Sequence, residues 1–91
     1  MPLHLVFELP GHDASPAGMV PWFREWLDED VAVRRMNHSD EAGRPTTLID
    51  IAVPASARDM NEIQRDMSLL VPGASWAEGL NIVFKGASLD H

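Results

Sequence analysis

One order of elements occurs twice along this chain: an alternating apolar segment, a turn, a helix-period segment and then a further strand candidate. Leu3-His4-Leu5-Val6-Phe7-Glu8-Leu9 puts Leu3, Leu5, Phe7 and Leu9 on one face and His4, Val6 and Glu8 on the other, the period-two signature of a strand with one buried face. Pro10 to Pro16 is rich in turn formers and interrupts it. A helix is expected to begin near Gly18 to Pro21, because proline is tolerated in a first turn. Trp22, Phe23, Trp26 and Leu27 then form an i, i+1, i+4, i+5 stripe that calls for burial.

Val31 to Met36 is a weaker second strand, and Asn37 to Pro45 reads as a polar, mobile loop. The pattern resumes at residues 46 to 53, where Thr47, Ile49, Ile51 and Val53 share a face. Ser56 to Asp59 reads as a variant capping box. It opens a helix with Met60, Ile63, Met67 and Leu70 on one stripe and an Arg58–Glu62 pair at i, i+4. Pro72-Gly73 stops this helix near Val71. Trp76 anchors one further turn, Leu80, Ile82 and Phe84 supply the last strand, and residues 86–91 form a short tail.

Two β-α-β units in one domain spanning residues 1–91 predict an α+β protein of the ferredoxin-like βαββαβ kind. Four antiparallel strands would lie in the order 4-1-3-2 with both helices on one face. The strongly patterned first and third strands would be central neighbours. The outer face would then carry His4, Val6, Glu8, Leu48, Asp50, Ala52, Val83 and Lys85, with His4, Glu8 and Asp50 close together and Lys85 beside Glu8. Half polar and half apolar, that open face is expected to be covered by a second copy, as a homodimer, or by another protein.

Composition limits the chemistry. The chain has 14 acidic residues against six arginines and one lysine, for a net charge of −7. Such a balance argues against direct binding to nucleic acid or an anionic membrane and permits a basic protein partner. Part of it forms a run, Glu25, Asp28, Glu29 and Asp30, at the end of the first helix. Acids there oppose the helix dipole, so the run is a candidate partner-binding ridge. Arginine in place of lysine, with abundant alanine and glycine, fits a GC-rich, bacterial source. With no cysteine, the chain has neither disulfides nor a thiol nucleophile. The N-terminus lacks a signal peptide and no apolar run reaches membrane-spanning length, so a cytoplasmic location is expected.

No histidine pair has metal-ligand spacing, and neither a phosphate-binding glycine loop nor a nucleophile elbow occurs. No metal or cofactor is expected. His12, in a loop beside a helix start, and His38 are the weak candidates for a catalytic base. In Trp26-Leu27 and the hydrophobic spacing around them, the first forty residues resemble the effector-associated small domains of bacterial conflict systems; the second half does not share the likeness. The ferredoxin-like layout is similar to that of the dimeric α+β barrels, among them small isomerases and cofactor-free monooxygenases. The leading expectation is a non-enzymatic interaction module, an adaptor, inhibitor or accessory subunit. The alternative is a dimeric α+β-barrel enzyme acting on a small organic molecule, with a pocket lined by Trp22, Trp26, Met60 and Met67.

Overall fold

In the computed structural model, residues 3–27, 30–53 and 60–89 are described. Strand β1 (Leu3–Pro10) leads to helix α1 (Met19–Leu27), strands β2 (Ala32–Ser39) and β3 (Pro45–Val53), helix α2 (Met60–Leu70) and strand β4 (Val83–Leu89). Two 3₁₀ turns, Val71–Gly73 and Ser75–Ala77, separate α2 from β4. The protein is α+β, with one four-stranded sheet in the order β2-β3-β1-β4. Every neighbouring pair is antiparallel.

The alternation in β1 and β3 decides which face is buried. Leu5 lies opposite Ile51 and Phe7 opposite Ile49, and all four side chains are at most 1 % exposed. Phe23 from α1 and Ile63 and Met67 from α2 close over them and are equally buried. Each such side chain contributes about 1.5–3 kcal/mol relative to leaving it in water. Phe7 is the hub, with ring centroids of Phe84, Phe23 and Trp76 at 5.3, 5.7 and 6.2 Å. Thr47 belongs to the same face. Its buried hydroxyl donates to the Gly11 carbonyl at 2.6 Å and accepts the Ala14 N–H at 3.0 Å, which ties the β1–α1 loop to the sheet.

Several local expectations change. Trp22 and Trp26 are half-buried rather than enclosed; they stack on one another at the rim of the core, centroids 5.8 Å apart. Leu70 is exposed, because the backbone tightens into the 3₁₀ turn and Val71 fills the inward position instead. Strand β2 runs on to Ser39, and the supposed long loop is a tight turn from Asp40 to Arg44. There the Asp40 carboxylate accepts the N–H groups of Ala42 and Arg44 at 2.9 and 2.8 Å and the Arg44 Nε–H at 3.0 Å.

The last strand begins at Val83, not Leu80, and continues through Gly86 instead of ending in a tail there. Its register against β1 slips between Phe84 and Gly86, so Lys85 is an extra residue. Gly86 takes φ = +141° at this bulge, a conformation side-chain-bearing residues resist. The Ser56–Asp59 cap, Arg58 and His91 lie outside the described residues, as does the side chain of Met60.

Candidate functional site: the open face of the sheet

Both helices pack on the Leu5/Phe7 side, and among the described residues no helix lies on the other face of the sheet. Pairing fixes its contents: His4, Val6 and Glu8 from β1, Leu48, Asp50 and Ala52 from β3, and Val83 from β4. The longer β2 adds Ala32, Arg34, Met36 and His38 to this face, a contribution the sequence reading missed. The alternation from Ala32 to His38 was the available signal, hidden by the polar Asn37, His38 and Ser39, which an edge strand accommodates because both its faces reach water.

One polar cluster is well defined. Asp50 lies opposite Val6 on one side and Arg34 on the other. His4, one step along β1, reaches it diagonally. Nδ1 of His4 lies 2.9 and 3.0 Å from the two Asp50 carboxylate oxygens, and Arg34 Nη2 stands 3.5 Å from one of them. The Asp50 side chain is 12 % exposed and that of His4 23 %. A buried carboxylate is thus held between an imidazole and a guanidinium, so the ring can donate its Nδ1–H to the carboxylate.

Glu8 is not part of this cluster. It lies between Leu48 and Val83 in the pairing and lines a shallow depression of about 580 Å³ with Lys85, Leu48, His38 and Arg44. Among the described residues Glu8 and Lys85 form no ion pair. Beside it, Thr46 is 6 % exposed and its hydroxyl has no hydrogen-bond partner among the described residues. Around these groups the face is apolar: Val6, Leu48 and Ala52 are half-buried, Met36 is 44 % exposed and Val83 52 % exposed.

The remaining candidates are scattered. His12 donates its Nε2–H to the backbone carbonyl of His38 at 3.1 Å, so the two meet through the main chain and not ring to ring. His38 sits in β2, not in a mobile loop, because the turn closes at Asp40. Glu25 is exposed on α1, and Asp30 binds Arg24 Nε at 2.8 Å; Asp28 and Glu29 lie outside the described residues. Where a pocket between helices and sheet was expected, Phe23 and Trp76 contact each other and the rings of both Phe7 and Trp22, and Met67 is fully buried beside them. Among the described residues no cluster of three or more histidines or carboxylates is placed to hold a metal ion. None of the described helices is long and apolar enough to cross a membrane. No protein-family model, curated protein or solved structure matches this chain.

Proposed function

We propose that this protein is a small, acidic, non-enzymatic interaction module of the cytoplasm that binds another protein, or a second copy of itself, through the open face of the sheet. The observation that carries the reading is the apolar strip Val6, Leu48, Ala52, Met36 and Val83, which no helix among the described residues covers. A contiguous apolar patch rimmed by polar groups is the usual mark of an interface. The His4–Asp50–Arg34 cluster and the separate Glu8 and Lys85 would supply the polar rim and the orientation of the partner. The element order and the strand order β2-β3-β1-β4 support a ferredoxin-like reading of the fold. The acidic helix end is the weaker alternative surface, since Arg24 already neutralises Asp30.

One observation favours a dimeric α+β-barrel enzyme instead: Asp50 holds His4 by Nδ1, the way a carboxylate orients an imidazole base. The filled space around Trp22 and Met67 speaks against the pocket that such an enzyme needs.

The test is site-specific crosslinking in the native cell, with a benzoylphenylalanine in place of Leu48, of Ala52, or of Ser68 on α2. Crosslinks at Leu48 and Ala52, lost on Met36→Glu, support the open face, and the adduct mass separates a second copy from a different protein. Equal or greater yield at Ser68 would refute it.

A further inference from the structure

We infer that the groove between α1 and the free edge of β2 accepts an extended peptide segment as a fifth strand, one carrying adjacent acidic residues beside a single aliphatic side chain. This surface is the edge of the sheet and not its open face, so it does not depend on the reading above.

Three observations converge on it. First, β2 is an edge strand of eight residues, each of them exposed, in unbroken register with β3. Edge strands of this length are usually blunted by proline, a bulge or a covering element. Here β2 contains no proline or bulge, and among the described residues it is blunted by the adjacent pair Arg34 and Arg35 and, at one end, by His12 and Asp13. Strand addition to such an edge is a common mode of peptide recognition, with backbone hydrogen bonds supplying affinity and side-chain pockets supplying choice.

Second, such a pocket is present. On the helix side of the strand a depression of about 200 Å³ is lined by Met19, Val20, Pro16, Val33, Ile49 and Arg35. Its lining is mixed, with the aliphatic side chains of Val20 and Val33 beside Ser15 and the Arg35 guanidinium. An added strand would place one side chain between α1 and Val33 and the next residue on that face toward Arg35, following the two-residue period.

Third, the charge is local and of the opposite sign to the whole. The chain carries −7 overall, yet β2 holds two arginines and no acid. Arg34 points to the open face and reaches Asp50 at 3.5 Å; Arg35, on the helix side, makes no ion pair among the described residues. Successive acidic residues on an added strand would meet both. A second copy is a poorer occupant, because antiparallel β2–β2 pairing would bring two Arg34-Arg35 pairs together. The groove is closed at one end, where His12 binds the His38 carbonyl and Asp13 and Asn37 exchange hydrogen bonds. The usable edge is therefore Ala32 to Met36, enough for a segment of about five residues.

The experiment is selection of displayed random dodecapeptides on the full-length protein, followed by fluorescence anisotropy with the enriched peptides. Enrichment of adjacent acids next to Val, Ile or Leu is expected. Arg35→Glu should weaken binding at least about tenfold, and an Arg35→Glu protein should recover it with the acids changed to lysine. Methylating alternate peptide nitrogens should abolish binding by removing strand hydrogen bonds. Arg35 is exposed, so the Arg35→Glu protein is expected to fold, and circular dichroism checks both this variant and Leu48→Glu. The inference is overturned by failure to enrich any peptide, or by peptides whose binding survives Arg35→Glu. It also falls if binding is lost on Leu48→Glu and not on Arg35→Glu, which would transfer the peptides to the open face and leave that reading standing. A solution dimer that dissociates on Arg35→Glu would overturn it in favour of a second copy.

Discussion

His4 presents a single ring nitrogen to both carboxylate oxygens of Asp50, at 2.9 and 3.0 Å, across the two central strands of the sheet. Because these strands form the middle of the fold, the contact reports on register. A one-residue slip of β3 would turn Asp50 toward the helices and Ile49 and Ile51 toward the open face.

Replacing Asp50 with alanine is expected to lower stability by about 1–2 kcal/mol, the range for a charge-assisted hydrogen bond partly screened by solvent. Arg34→Ala should cost less than about 0.5 kcal/mol, because its contact is long and its side chain mostly exposed. Urea unfolding of both variants measures the difference. Equal effects would mean that the imidazole contributes nothing beyond a surface ion pair.

The turn between β2 and β3 should be sensitive to acid. The Arg44 N–H bonded to the Asp40 carboxylate, and then the nearby guanidinium charge, hold Asp40 below the ordinary carboxylate range. A folded-state value depressed below the unfolded one means the contribution is complete above the unfolded pKa of about 3.9. It is lost as the pH falls through the folded value. The expected result is an NMR titration in which the Ala42 and Arg44 amide shifts move together, with a midpoint below that of an exposed aspartate. Asp40→Asn should remove the transition from both amides.

At the β4 bulge, the cost of a side chain is purely conformational. A Cβ at Gly86 would meet nothing within 4 Å, yet φ = +141° is strained for any residue other than glycine. Gly86→Ala is expected to destabilise by about 1–3 kcal/mol. Amide exchange of β4 should accelerate while that of β2 stays unchanged. Protection of β4 retained at the parent level would show that the bulge can shift elsewhere at little cost.

How much of this was legible depended on how strongly each segment had to obey one period. Leu3 to Leu9 alternates strictly between buried and half-buried positions, and Thr47 to Val53 does so except at the buried Asp50, so their identity as strands, their core face and the nearness of His4 to Asp50 could be read directly. Strand β2 is exposed throughout, and nothing in its burial selects apolar residues. Its end was hidden, and with it the place of His38. The Asp40-x-x-Gly43 spacing was the readable sign of the turn. In β4 the bulge breaks the alternation at Lys85, so Gly86 looks like a terminator when it is the residue that lets the strand continue. The groove beside β2 has no signal in sequence at all, since it arises from residues on four different segments brought together by the fold.

The aromatic contacts around Phe7 carry a practical consequence. Trp22 lies 5.8 Å from each of Trp26 and Trp76, and these are all the tryptophans the chain possesses. Its intrinsic ultraviolet emission therefore comes from one corner of the molecule, where energy can pass between the indoles. A fluorescence melt would report the docking of α1 and say little about the β2–β3 hairpin. Loosening of that hairpin, the part proposed to receive a peptide, would pass unseen unless a reporter were placed there.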